Sequence, residues 1–255
     1  MIFVQGGGRV TDLITDRCAH LLVFRHRHPS NLNTLISSFV NLSVYLYIVA
    51  LSIIVGALRF RALQPKPVKW LVPFLFVTLA VEVTGMITSR MYIRNLWMFN
   101  MFTGSEFIFY SWFYLNILEN QRVKKIIRYA MGIYPVLFLI NIFWIEGFYR
   151  FHTITYRIGS VMIVVWVYLY FRQLMRSSSY SPVLRNPIFW ISTGLLFFYA
   201  GFFFYMTAGS VLLYAKVPYN AFVFYIISDT LNALLYACFL ISFVCQMNIT
   251  NRSSR

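Results

Sequence analysis

Residues 95–114 read NLWMFNMFTGSEFIFYSWFY, an apolar run that carries Glu106 near its middle. Its length is typical of a membrane helix, because about 20 predominantly apolar residues cross the hydrocarbon core of a bilayer. A carboxylate at that depth costs a few kcal/mol or more unless it faces the interior of a helix bundle and finds partners there. The run therefore predicts a helix whose polar side is enclosed by other helices.

The polar residues of this run lie on one side of the predicted helix. At 100° per residue they fall within about a third of the circumference, and they are Asn100, Thr103, Glu106, Tyr110 and Tyr114. The remaining surface is Phe, Ile, Leu, Met and Trp. We expect the first four of these polar side chains to line a polar pocket.

The rest of the chain has the composition of a membrane protein. Of its 255 residues, 60% are hydrophobic and only 11% are charged, whereas a soluble domain carries about 25% charged residues. Apolar runs of about 20 residues recur along the chain, and they do not alternate with period two as the strands of a membrane barrel do. These features predict an all-α polytopic membrane protein.

Seven apolar segments predict a seven-transmembrane-helix bundle. They span about 35–58, 70–89, 96–118, 126–145, 155–175, 186–213 and 219–246. Pro135 predicts a kink in the fourth segment, and Asn186 followed by Pro187 is typical of a helix start. We expect a transmembrane domain at 34–247, a poorly ordered polar extension at 1–33, and a short cytoplasmic tail at 248–255.

Basic residues orient the predicted bundle. The connections after helices one, three and five, with the tail, hold thirteen of them: Arg59, Arg61, Lys66, Lys69, Arg122, Lys124, Lys125, Arg128, Arg172, Arg176, Arg185, Arg252 and Arg255. The other connections hold five: Arg90, Arg94, Arg150, Arg157 and Lys216. Because cytoplasmic loops are the richer in Lys and Arg, the C-terminus is expected in the cytoplasm and the N-terminus outside. The extension adds four basic residues on the opposite side.

Two further acids lie inside predicted helices. Glu82 is in helix two and Asp229 in helix seven, and each has a polar stripe of its own. Helical spacing aligns Glu82 with Thr78 and Gly85, and Asp229 with Asn232 and Tyr236. With the orientation above, Glu82, Glu106 and Asp229 share a depth between the midplane and the outer leaflet. We expect the three stripes to form one polar interior.

Four basic side chains are expected near the outer mouth of that interior. They are Arg90, Arg94, His152 and Arg157. They could pair with the carboxylates or admit an anionic ligand, although Arg and His at these positions are also typical interface anchors. Intramembrane acids, in turn, can serve merely as hydrogen-bonding contacts between helices. The candidate site therefore has a ligand-binding or proton-relay interpretation and a structural one.

Several chemistries find no support in the sequence. The net charge of +15 is distributed among short loops, so no compact basic domain is left for nucleic acid. The three cysteines lack C-x-x-C spacing, and the histidines form no convincing metal site. Retinal needs a lysine inside a helix, and helix seven has none. No protease or hydrolase motif is present, so we assign no catalytic residue, metal or cofactor.

Parts of the sequence resemble a known family. Ser105-Glu106-Phe107, the opening Asn186-Pro-Ile-Phe-Trp-Ile of helix six, Phe198-Tyr-Ala-Gly201 and Leu231-Asn-Ala-Leu-Leu-Tyr236 are similar to motifs of uncharacterised seven-helix bacterial inner-membrane proteins. The similarity covers about residues 34–246. It implies a multi-pass location in the inner (plasma) membrane and a gene context near sensor kinases. Those relatives often carry histidine near the position of Asp229, so a shared role for this position is not implied.

Seven helices, a polar interior and no catalytic motif favour a receptor-like or sensory module. A small ligand or a proton would enter from the outer face, and a cytoplasmic or membrane signalling partner would receive the output. The alternatives are a proton- or ion-coupled transporter, an intramembrane lipid-modifying enzyme, and a structural subunit of a membrane complex. The expected partners are membrane lipids and that signalling protein, with no nucleic acid.

Overall fold

The structure, a computed structural model, describes residues 44–61, 63–91, 93–148, 150–176, 183–214 and 221–253. Within these ranges the chain is all helical. The seven α-helices are α1 (Val44–Leu58), α2 (Lys66–Arg90), α3 (Leu96–Ile117), α4 (Gln121–Ile140), α5 (Thr153–Arg176), α6 (Pro187–Tyr214) and α7 (Ala221–Ser253). A π-helix (Asn141–Ile145) continues α4, and a short 3₁₀ turn (Val183–Arg185) precedes α6. The predicted extension at 1–33 lies outside the described residues.

Local sequence explains where the helices begin. The side chain of Asn186 accepts a hydrogen bond from the Ile188 amide, 3.0 Å, which is the predicted cap of α6. The Asn120 side chain caps α4 in the same way, accepting from the Arg122 amide at 2.9 Å. The polar residues 121–125, expected as a loop, therefore form the first turn of α4.

Two other boundaries differ from the expected ones. α2 begins at Lys66, four residues earlier than expected, because a proline such as Pro67 is compatible with the first turn of a helix. α7 continues to Ser253 rather than ending at Gln246, since no proline or glycine follows Gln246 to stop it. Residues 248–253, expected as a tail, are thus helical.

The helices make this chain a polytopic membrane protein. Five stretches are long and apolar enough to cross a bilayer: Lys66–Ser89, Gln121–Ile145, Thr153–Arg176, Pro187–Gly209 and Ile226–Gln246. α1 is a shorter apolar helix over its described part. α3 has 22 residues, but Asn100, Thr103 and Glu106 lower its hydropathy. That α1 and α3 also cross the membrane stays a prediction.

Neighbouring helices close a ring in the order α1, α2, α3, α5, α6, α7 and back to α1. α4 packs outside this ring against α3 and α5. Hydrogen bonds at the ends show that the helices alternate in direction. Gln246 of α7 donates to the Gln64 carbonyl before α2, and the Glu119 amide before α4 donates to the Gln173 side chain of α5 at 3.0 Å. The two sets of connections that differ in their content of Lys and Arg therefore lie at opposite ends of one bundle.

The outside of the bundle is apolar, unlike the surface of a soluble protein. Large apolar side chains cover the outside, among them Phe76, Tyr129, Phe143, Trp144 and Phe204. The interior encloses polar groups on every ring helix, including Ser52, Glu82, Glu106, Ser160, Ser192 and Asn232. This distribution suits a bundle whose solvent is lipid, because only the interior can satisfy polar groups.

Small residues, Gly194 and Gly201, bring α6 and α7 together. A Cβ atom on Gly194 would lie 2.9 Å from Cβ of Cys238 and 3.2 Å from the backbone oxygen of Leu235. Neither atom is the end of a flexible side chain, so the backbones themselves would have to separate. Gly194 thus sets the distance between these two helices.

Substituting Gly194→Ala is expected to destabilise the protein by about 1–3 kcal/mol, the usual cost of adding a methyl group to a packed interior. Thermal unfolding of the purified protein in detergent measures the loss. Gly132→Ala is the matched control, because its new Cβ would meet no atom within 4 Å and alanine favours a helix. Equal melting temperatures for the two variants would contradict the close approach of α6 and α7.

Candidate functional site

Two carboxylates meet inside the bundle. Glu82 of α2 is 6% exposed and Glu106 of α3 is 8% exposed, and their charges act on each other. The Tyr45 hydroxyl of α1 donates a hydrogen bond to Oε2 of Glu82 at 3.0 Å. Within the described part of the chain, no donor makes a hydrogen bond to Glu106. Two like charges buried in a medium of low dielectric repel each other unless a proton or a cation intervenes.

Tyrosines surround the Glu106 carboxylate. Five phenols lie within electrostatic range of it, namely Tyr110 of α3, Tyr134 of α4, Tyr156 of α5, Tyr199 of α6 and Tyr236 of α7. Tyr236 also interacts with Glu82 and with Tyr45. We call these eight residues (Glu82, Glu106, Tyr45, Tyr110, Tyr134, Tyr156, Tyr199 and Tyr236) the acid–tyrosine centre. Each of the seven helices contributes at least one of them.

Ring packing holds the phenols in place. Tyr45 stacks on Tyr236 with ring centroids 6.1 Å apart, and Tyr110 meets Tyr199 edge to face at 6.0 Å. Such aromatic pairs are worth about 0.5–1.5 kcal/mol beyond the area they bury. The Tyr199 hydroxyl is buried and finds no hydrogen-bond partner among the described residues. Among the described residues, at least one phenol of the centre therefore has no hydrogen-bond partner.

Tyr134 reaches the centre from α4, outside the ring of helices. Its ring stacks on Phe107 at 3.9 Å, and its hydroxyl donates to the Thr155 carbonyl at 3.2 Å. Gly159 of α5 makes this possible, because a Cβ there would lie 3.1 Å from the Tyr134 hydroxyl and 3.4 Å from the Phe107 ring. A glycine at this position thus gives α4 access to Glu106.

The arrangement is suited to holding a proton or a cation. Carboxylates are acceptors when ionised, and phenols can donate to them while remaining neutral. No group of three or more His, Cys, Asp or Glu side chains suited to a metal occurs among the described residues. A change of charge at Glu106 would alter its interactions with phenols on five helices at once.

Two predicted site residues, Asn100 and His152, lie where α3 contacts the α4–α5 connection, at one end of the bundle. The Asn100 side chain donates to the Arg150 carbonyl at 2.7 Å and accepts from the His152 amide at 3.1 Å. Asn100 therefore attaches α3 to the connection between α4 and α5. Thr103 donates to the Asn100 carbonyl at 2.9 Å and is buried one turn further along the helix.

His152 is buried within that connection. Its Nε2 lies 3.1 Å from the Gly147 carbonyl, and its ring meets Phe138 edge to face at 5.1 Å. A neutral ring that donates from Nε2 leaves Nδ1 as an acceptor, and Nδ1 has no partner among the described residues. Burial lowers the pKa of His152 below its ordinary value of 6.5, although the Gly147 carbonyl and the charge of Glu146 oppose this shift.

The other predicted site residues have separate settings. Asp229 of α7 is half-buried, and its Oδ1 has no hydrogen-bond partner within the described ranges. Asn232 donates to the Ser228 carbonyl at 2.9 Å, along its own helix. Arg157 donates from Nη2 to the Met206 carbonyl at 2.9 Å and so joins α5 to α6. Arg94 is exposed.

Arg90 ends α2, and its side chain lies outside what the structure describes. Of the predicted set, the structure therefore brings Glu82, Glu106, Tyr110 and Tyr236 into one centre.

Four members of the centre were not predicted from the sequence: Tyr45, Tyr134, Tyr156 and Tyr199. The chain has 18 tyrosines, and tyrosine is common at membrane interfaces, so their number alone indicates no site. A usable signal was that Tyr134 and Tyr199 lie far from either end of their helices. A phenol in that position needs an internal partner, since the bilayer offers none.

Comparisons with known proteins add no assignment, because no family model, curated protein or solved structure matches the chain. The resemblance to uncharacterised seven-helix inner-membrane proteins stays a prediction. Any account of function must therefore be built on the acid–tyrosine centre itself.

The hydrogen bond between Tyr45 and Glu82 is testable by a double-mutant cycle. We expect Tyr45→Phe and Glu82→Gln each to destabilise the protein, with a coupling of about 0.6–1.7 kcal/mol between them. Thermal unfolding in detergent provides the measurement. Tyr47→Phe is the control, because Tyr47 is on the same helix but 54% exposed. A coupling of zero would contradict the contact.

Burial of neutral His152 predicts a stability that depends on pH. Above about 6.5 the imidazole is neutral in both states, so it contributes nothing to the pH dependence. As pH falls below 6.5, the unfolded chain binds a proton more readily than the folded protein, and the free energy of unfolding falls. Unfolding followed between about pH 7.5 and pH 5.5 should show this loss, and His152→Gln should reduce it. An unchanged pH slope in the variant would refute this role for His152.

Proposed function

We propose that this protein is a receptor-like or sensory membrane module whose input is a change of charge or ligand at the acid–tyrosine centre. One observation carries the proposal: all seven helices contribute a Glu or Tyr side chain to a single buried site. A site built in this way can bias the packing of the whole bundle. A conformational change is explained only when an input interacts differently with two packings.

The input would reach the centre from the end that carries Asn100 and His152. Glu106 lies six residues beyond Asn100, about 9 Å along the helix axis. By the distribution of Lys and Arg, this end faces outward and the opposite end faces the cytoplasm. The output would pass through the basic end of the bundle. α3 reaches that end at Leu118, which lies 12 residues and about 18 Å beyond Glu106. A cytoplasmic or membrane signalling partner would bind there.

Proton- or cation-coupled transport is the second candidate. It is favoured by the absence of a hydrogen-bond donor to Glu106 within the described residues, because a carboxylate in that state is available to a moving proton or cation. Ionisable groups inside membranes commonly mark such paths. The two candidates differ in a measurable way: a sensor needs a response at the far end, whereas a transporter needs net flux.

Glu106→Gln is expected to change the structure of the basic end. Glutamine mimics the protonated acid and cannot take up the charge that would face the five phenols. Hydrogen exchange of the full chain in nanodiscs should report altered amide protection in the α1–α2 and α3–α4 connections, by about 0.5–2 kcal/mol of opening free energy.

Glu119→Gln is the matched control, since Glu119 is exposed and outside the centre. Identical protection in wild type and Glu106→Gln would refute the sensory proposal. Proton flux into liposomes that requires Glu106 would favour transport instead.

A further inference from the structure

The outward side of α4 changes character along its length. At 100° per residue, Arg122, Lys125, Ile126, Tyr129 and Ile133 fall on one stripe about 100° wide. All five are exposed, with Tyr129 at 71%. The stripe is therefore basic in the first two turns and apolar in the next.

The opposite side of α4 is packed against the bundle. Ile127, Ala130, Tyr134 and Phe138 are buried and form a second stripe that faces α3 and α5. The orientation of α4 about its axis is thus set by this packing. The exposed basic residues of the first turns must then face outward. They lie on the same side of α4 as the exposed apolar residues that lipid chains would cover.

The end of α5 adds basic side chains to the same region. The Glu119 amide donates to the Gln173 side chain at 3.0 Å, which places the last turns of α5 beside the start of α4. Arg172 and Arg176 flank Gln173 and are exposed. Six basic residues, Arg122, Lys124, Lys125, Arg128, Arg172 and Arg176, thus share this region with one acid, Glu119.

We infer that the start of α4 and the end of α5 form a binding site for the phosphate of an anionic phospholipid. Like charges held together at a membrane surface are stabilised by a bound anion, and each Lys or Arg near such a surface strengthens the attraction to anionic lipid. The acyl chains would lie along Ile126, Tyr129 and Ile133, which continue the stripe below Arg122 and Lys125.

The apolar continuation distinguishes a lipid from free phosphate. A soluble anion would gain only from the basic side chains, whereas a lipid also covers the exposed apolar side chains beside them. The positions of Arg122 and Lys125 suit this, because their long side chains can extend toward the headgroup layer while their stems lie on apolar surface. The inference does not depend on the proposed sensory role, since none of these residues belongs to the acid–tyrosine centre.

Titration of the purified full chain with dioleoyl phosphatidylglycerol, followed by native mass spectrometry, tests the site. Wild type is expected to bind this lipid more tightly than dioleoyl phosphatidylcholine. Arg122→Gln/Lys125→Gln should weaken phosphatidylglycerol binding about 30-fold, as the loss of two surface charges predicts. Arg172→Gln/Arg176→Gln should weaken it in the same direction.

Arg94→Gln/Arg150→Gln is the matched control, because it removes two exposed charges at the opposite end of the bundle. Retained binding in this control supports a local site, whereas an equal loss in both double variants would show attraction to net charge alone and overturn the inference. Displacement of phosphatidylglycerol by inorganic phosphate would also overturn it. Melting temperatures of all variants in the same detergent establish that each is folded.

Discussion

The cost of placing a carboxylate inside a membrane protein constrains the rest of this structure. Glu106 cannot be solvated by lipid, so the interior of the bundle must supply what water would have supplied. The interior places phenols within electrostatic range of it, from Tyr110, Tyr156, Tyr199 and Tyr236 on four ring helices and from Tyr134 on α4, although no described donor makes a hydrogen bond to it. A second acid, Glu82, raises the cost further, and Tyr45 offsets part of it with a hydrogen bond.

This requirement accounts for several packing features that would otherwise be unrelated. α3 is not among the five helices apolar enough to cross a bilayer, and it packs against α2, α4 and α5. Gly159 is needed where Tyr134 packs on Phe107, and aromatic stacking orders the rings of Tyr134 and Tyr45. Both the enclosed polar groups and the apolar exterior thus follow from the lipid surroundings, which cannot satisfy polar groups but accept apolar side chains.

Most of the fold could be predicted from the sequence, because long apolar runs and their basic flanks are local signals. The limits of α3, α5 and α6 are within two residues of the predicted ones. The start of α4 was missed because residues 121–125 are polar, and only the Asn120 cap indicates that they are helical. The candidate site was predictable in part, since a buried acid such as Glu106 or Glu82 is conspicuous in an apolar run.

The remainder of the site depends on tertiary packing. Tyrosine is equally suited to an interfacial belt and to a polar interior, so composition could not separate Tyr129, which is exposed, from Tyr134, which is buried. Both lie on α4, and only the side that packs against α3 and α5 distinguishes them. Asn100 is a similar case, because its polar stripe was visible, yet its attachment to the α4–α5 connection required the folded structure.

The two sides of α4 lie in different environments. Its inner stripe reaches the acid–tyrosine centre through Tyr134, and Arg122 and Lys125 are exposed on its outer stripe. Tyr134 and Arg122 are 12 residues apart, about 18 Å along one helix. α4 packs outside the ring against α3 and α5, and its opposite side is exposed. The proposed sensory input and the proposed lipid site would therefore act on the same helix, and a bound lipid could bias the position that α4 adopts.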